Sequence, residues 1–149
     1  MPPIAPFLHS APTMTTTKLT LELADVKKIA AAAEAEALSR QWAVSIAIVD
    51  DGGHLLWLQR LDGAAAISAH IAPAKAHAAA LSRRETKFYD ESIGGGRYAM
   101  LTLPDVRGLL EGGVPIVHGG QTLGAVGVSG VKSDEDAQVA RAGIAALAL

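Results

Sequence analysis

The sequence predicts an α+β domain, a central antiparallel sheet flanked by helices. Three observations carry this expectation. Two pairs of short β-type segments are each joined by a tight glycine-bearing turn. Three alanine-rich segments have the features of helices. The pairs of strands follow one another directly, so neighbours return by hairpins rather than by helical crossovers. A chain of 149 residues fits one domain with a buried core.

From Thr20 to about Gln41 the pattern is helical, with Leu23, Val26, Ile29, Ala30, Ala33, Ala37 and Leu38 recurring at three-and-four spacing and Thr20 as N-cap. VSIAIVD (44–50) is short and β-branched, and its lack of alternation predicts a strand covered on both faces. DDGG (50–53) is a turn, and HLLWLQR (54–60) is the returning strand. Residues 68–85 read as a second helix whose regular part begins near Pro73, because proline costs about 3 kcal/mol in a helix interior. Residues 86–106 read as one or two short helical turns around a mobile Gly94–Gly96 run. A last helix spans 133–149, capped by Ser133, with Asp134, Glu135 and Asp136 at the positive end of its dipole. The ordered domain is expected over 17–149, preceded by an extended or disordered tail over 1–16 that carries Pro2, Pro3 and Pro6.

EGGVPIVHGGQTLGAVGVSG (111–130) holds seven glycines, which raises the question of a phosphate cradle. It lacks the lysine and hydroxyl residue of a P-loop, and Gly124, Gly127 and Gly130 lack the G-x-G-x-x-G spacing of a dinucleotide loop. VPIVH and LGAVGVS are β-type segments around GGQT, so Gly119 and Gly120 supply a turn while Gly124 and Gly127 admit a close neighbour. The glycines build a hairpin.

Four stretches together resemble the GlcG/HbpS-like haem-degrading family, which also supplies the C-terminal domain of PduO-type corrinoid adenosyltransferases. They are IVDDGGHLLWLQRLDG (48–63), IAPAKAHAAAL (71–81), the glycine-rich stretch 111–130 and DEDAQVARAG (134–143), and the resemblance covers about residues 18–149. It implies a profilin-like fold that assembles into dimers or rings. It also implies haem or a corrinoid as the bound group, and roles in haem degradation or as an accessory to a catabolic pathway. The family motif carries a lysine where this chain has Lys75. His70 and His77 depart from the acidic or small residue and the arginine usual there.

Several residues are candidates for chemistry. Lys75 lies in an apolar run, where an amine suits a Schiff base, a general base or a carboxylate partner, or simply packs its stem and sends its head outward. His70 and His77 are seven apart, too far for one mononuclear metal. His54 opens a strand and His118 closes one, and either imidazole could ligate haem iron. Arg97, beside Tyr98 after the glycine run, is a carboxylate clamp on a flexible loop. Glu111 is an acid–base candidate next to Gly112 and Gly113. No residue spacing predicts a metal site. The chain has no cysteine, which removes disulfide, thiolate and iron–sulfur chemistry. Net charge is −2 and aromatics are 4%, so nucleic acid is an unsuitable partner. No apolar run reaches the roughly 20 residues of a membrane span, and a cytoplasmic location is expected.

Two functions follow. The first is a small homo-oligomeric tetrapyrrole-binding protein, with His54, His118, Arg97, Tyr98, Gly112 and Gly113 about the ligand. The second is a cofactor-independent lyase or isomerase acting on a small carboxylated, possibly aromatic metabolite, with Lys75, His70 and Glu111 as catalytic groups. An accessory subunit without a site of its own is a third reading.

Overall fold

A computed structural model describes residues 14–149, so the expectation for the tail lies largely outside the described residues. The elements follow the order α1 (Leu23–Ser39), β1 (Ser45–Asp50), β2 (Leu55–Arg60), α2 (Ser68–Ser82), α3 (Lys87–Gly94), a 3₁₀ turn (Tyr98–Thr102), β3 (Gly113–His118), β4 (Gln121–Ser129) and α4 (Ser133–Ala145). One four-stranded sheet has the order β2-β1-β4-β3, and every neighbouring pair is antiparallel. The predicted α+β architecture, an antiparallel sheet with helices on both faces, is what the chain forms.

The missing alternation in β1 has the anticipated cause. Its residues Ser45 to Val49 are all buried, because helices cover both sides of the sheet. On one side Ile46, Ile48, Val126 and Val128 meet Val26, Ile29 and Ala33 of α1 and Val139 of α4. On the other, Ala47, Val49 and Ala125 meet Ala72, Ala76 and Ala79 of α2. Each large aliphatic residue withdrawn this way contributes about 1.5–3 kcal/mol. The α2 side is made of alanines, so its gain comes from closeness rather than bulk.

Glycine makes that closeness available. A Cβ on Gly127 of β4 would overlap the carbonyl oxygen of Ala72, and one on Gly113 of β3 would overlap that of Lys75. Neither glycine has a positive φ, so absence of a side chain is the requirement here, not conformational freedom. The sequence reading named Gly124 and Gly127 as admitting a neighbour: at Gly127 it is α2, and at Gly124 it is the Val49 carbonyl of β1.

Helix boundaries shift from expectation at three places. Glu22, not Thr20, caps α1, and its N–H donates to Asp25 Oδ2 at 2.9 Å. α2 begins at Ser68, so Pro73 sits inside it, in its second turn. That placement removes only the bond Pro73 would have given the carbonyl four residues back. In α4 the cap is Lys132, whose N–H is taken by Glu135 Oε1 at 3.3 Å, and the helix ends at Ala145 rather than 149.

Gly127→Ala is expected to lower unfolding free energy by at least about 1–3 kcal/mol, through forced separation of α2 from β4. Gly94→Ala, where an added Cβ meets nothing within 4 Å, is expected to be neutral or mildly stabilising. Urea denaturation midpoints compare the two, and equal midpoints would refute the close-contact account.

Candidate functional site

The buried polar centre of the fold is Lys75. Its side chain is 2% exposed, and Nζ donates to Asp136 Oδ2 at 3.0 Å and to the Val128 carbonyl at 2.9 Å. Asp136 stands in the first turn of α4, and its other oxygen accepts the Val131 N–H at 3.1 Å. Lys75 thus ties the α2 layer to the α4 layer past the end of β4. Gly112 makes the passage, since a Cβ there would lie 2.7 Å from Nζ and 3.1 Å from Asp136 Cβ. Burial pushes the Asp136 carboxyl above its usual range, with the Lys75 charge and the Val131 N–H pulling the other way. An amine held by these two partners has no lone pair or open side to offer a substrate. Of the roles open to Lys75 in the sequence, the carboxylate partner is present within the chain itself, as Asp136, and Gly112 and Gly113 make room for Lys75 and α2.

Two residues beyond Lys75, on another side of α2, His77 meets the Asp50–His54 turn. Its Nδ1 lies 3.2 Å from the Gly53 carbonyl, and its Nε2 lies 3.1 Å from the Asp105 carbonyl. Gly53 has a φ of +79°, and a Cβ there would run into the His77 ring. Both constraints demand glycine. His77 therefore joins the β1–β2 hairpin to the 103–110 segment, a role that its sequence neighbourhood did not announce.

Within the same turn, Asp50 Oδ1 accepts the N–H groups of Gly52 and His54, each at 2.9 Å, and lies 3.1 Å from His54 Nδ1. The carboxylate fixes the imidazole with Nδ1–H inward, which leaves the Nε2 lone pair to the solvent side. The His54 side chain is 81% exposed. An exposed imidazole oriented by a carboxylate is the donor arrangement that metal-ligating histidines use. Leu58, the register partner of Ala47, is on the α2 side. A bulge separates Trp57, opposite Ile48, from Leu55, opposite Val49, so the alternation is broken before His54, whose carbonyl accepts the Asp50 N–H. Leu56 and Leu58 are both exposed, and β2 is an edge strand.

The remaining candidates are dispersed. His70 is exposed two turns before His77 on α2, and His118 is exposed at the β3–β4 turn. Arg97 and Tyr98 are exposed at the start of the 3₁₀ turn. Glu111 is mostly buried, its Oε1 3.9 Å from Lys87 Nζ and its N–H bonded to Asp90 Oδ2. Among the described residues no hydrogen bond or ion pair joins Lys75, His70 and Glu111. Among the described residues no group of three or more acidic or histidine side chains could hold a metal ion, and no helix is long and apolar enough to cross a membrane.

Fold and site define a small α+β protein with a glycine-threaded buried ion pair and an exposed, oriented histidine at a hairpin tip. Residues 21–145 match the family model for haem degrading protein HbpS-like, and the chain belongs to that family. It is 52% identical to Protein GlcG of Escherichia coli K12 over 113 residues, 76% of this chain and 84% of that one. The crystal structure of Klebsiella pneumoniae protein ORFY superposes with a TM-score of 0.84 at 30% identity, covering 93% of this chain and 98% of that one. The PduOC–haem complex superposes with a TM-score of 0.75 at 26% identity, covering 86% and 95% respectively.

Lys75→Met is expected to cost about 3–5 kcal/mol, because it strands the Asp136 charge in the interior. Denaturation of this variant checks that figure, and a cost near zero would mean the amine is free. The Asp136 shift also has a pH signature. Its folded-state pKa exceeds the model value of 3.8, so between those two pKa values the folded state holds more protons than the unfolded chain. Stability of the wild type relative to Asp136→Asn is therefore expected to fall as pH rises through that window and to level off above it. A difference that grows with pH would reverse the assignment.

Proposed function

We propose that the protein binds haem through His54, on the exposed face of β2, at a site that a second copy of the chain completes. The carrying observation is the Asp50–His54 pair at the tip of the hairpin whose outer strand exposes Leu55, Leu56 and Leu58: an imidazole fixed by a carboxylate, close in the chain to exposed apolar side chains. Family membership and the likeness to the PduOC–haem complex support the same reading. The residues fit the group. His54 would supply an axial nitrogen, Leu56 and Leu58 an apolar surface for the macrocycle, and Arg60, next along that face, a cation for a carboxylate. Bound haem would bring ligand-binding and redox chemistry at its iron. The chain's own contribution is to hold the imidazole in one tautomer and keep one side of the site apolar.

Self-association follows from size. The apolar pocket beside residues 103–109 has about 210 Å³, below the roughly 300–1,000 Å³ of pockets that enclose drug-sized ligands, and the larger hollows of about 420–480 Å³ are not lined by β2. A tetrapyrrole on the β2 face therefore needs cover from outside the chain. The lyase or isomerase reading has less support, because Lys75, its base, is buried and paired with Asp136.

Titration of the full chain with hemin is expected to give a saturable shift with a sharp Soret band. His54→Ala should abolish that band, while His70→Ala and His118→Ala leave it in place. Loss of the band in His118→Ala with retention in His54→Ala would overturn the ligand assignment. A non-saturating drift, or saturation by cobalamin in place of hemin, would overturn the haem reading itself.

A further inference from the structure

His77 stands in an arrangement that one charge state of its side chain satisfies in full. Its Nδ1 lies 3.2 Å from the Gly53 carbonyl oxygen, and its Nε2 lies 3.1 Å from that of Asp105. Both partners are acceptors. A neutral imidazole has one N–H and one lone pair, so it donates to one carbonyl and turns its lone pair on the other. The imidazolium donates to both.

The two contacts differ in how they can give way. On one side the ring is pressed against the turn, where a Cβ on Gly53 would lie 2.4 Å from Nδ1. That turn is fastened independently. Asp50 Oδ1 accepts the Gly52 and His54 N–H groups at 2.9 Å, and the Gly53 N–H donates to the Asp50 carbonyl at 3.0 Å. The other side is held by little else. Among the described residues no other hydrogen bond of ordinary geometry engages residues 104–109. Pro104, Asp105 and Arg107 are exposed, and Asp105 adopts a φ of +58°, which costs a non-glycine residue energy unless its surroundings hold it. Gly108 rests on Ala74, where a Cβ would lie 2.9 Å from that side chain, so the segment has an anchor just beyond its loose part.

Charged groups surround His77 on each neighbouring element. On the turn, Asp50 is engaged with His54 and Asp51 with Lys18. On α2, Lys75 is paired with Asp136, and His70 is exposed two turns earlier. On the segment, Asp105 and Arg107 line the same hollow as His77 and oppose one another in sign.

We propose that His77 is a proton-operated fastener. As imidazolium it ties the turn and residues 104–107 to α2 together. On losing its proton it keeps Nδ1–H on the Gly53 carbonyl, where the ring cannot back away, and releases Asp105. Histidine is the side chain that changes charge between about pH 5 and 8, so the segment is held in mildly acid solution and loosened in mildly alkaline solution. The device needs no bound haem and stands apart from the assignment of His54.

NMR of the full chain tests this, through the ring nitrogens of His77 and backbone relaxation. At about pH 5 both nitrogens are expected to be protonated, with order parameters of roughly 0.85 at Asp105, Val106 and Arg107. At about pH 8 Nδ1 stays protonated, Nε2 does not, and the order parameters of these amides fall below about 0.6. Amides of β1 and β4 should keep their shifts, which reports an intact fold. In His77→Gln the order parameters of the segment should no longer change with pH. Equal order parameters at both pH values in the wild type would overturn the proposal. So would loosening that persists in His77→Gln, or a neutral ring that keeps its proton on Nε2.

Discussion

The architecture depends on how closely α2 lies against the sheet. Two backbones meet where most helices and sheets interpose side chains, because α2 offers Ala72 and Ala76 while β4 and β3 offer Gly127 and Gly113. Such a contact is intolerant. A larger residue on either side has no empty volume to enter, since interiors are packed to crystal density. The opposite side of the sheet works differently, with isoleucines and valines from strands and helices interlocking in a conventional apolar core. One side of this protein gains stability from bulk, the other from proximity.

Proximity also explains the buried charge pair. With α2 against the sheet, Lys75 can reach past Gly112 to Asp136 and satisfy the Val128 carbonyl on the way. Such a pair returns little net stability, because taking both ions from water offsets their attraction. What it supplies is position: α4 can dock in only one register if Asp136 is to meet the ammonium. The same placement of α2 brings His77, two residues from Lys75, to the Asp50–His54 turn and to Asp105. The hairpin tip and the segment 103–109 are thus both fastened to a single helix whose distance from the sheet is set by glycines.

Much of this was legible in the chain. Two hairpins, the doubly covered β1 and the structural purpose of the glycine-rich stretch could be read from β-branched runs and turn residues, because those signals are local. The family could be read too, since its motifs are strings of adjacent residues. The errors came where a partner lies far away in sequence. Lys75 looks like a free amine in IAPAKAHAAAL because its partner, Asp136, is 61 residues on. Asp136 in turn looks like one of three carboxylates at a helix start. His77 carries no sign that it will bridge Gly53 and Asp105, although the glycines at 52 and 53 hint that some side chain comes close. Pro73 misled the helix start because the propensity rule assumes a hydrogen bond to lose. In the second turn only one is lost, and the packing of Ala72 and Ala76 outweighs it.

The distribution of polar and apolar surface separates the two scales on which this chain can recognise anything. Inside one chain the apolar space beside residues 103–109 is ring-sized, about 210 Å³. Outside, the β2 edge presents leucines with an unpaired strand backbone, a surface that water solvates poorly and that another chain or a flat apolar ligand can cover. A large planar ligand and a second subunit therefore compete for, or share, the same strip. Asp50 fastens the tip of the same hairpin, accepting the Gly52 and His54 N–H groups and holding the imidazole whether or not a neighbouring chain is present. The haem proposal draws on that combination, because a fixed imidazole costs a ligand no ordering and an exposed apolar strip costs it little desolvation.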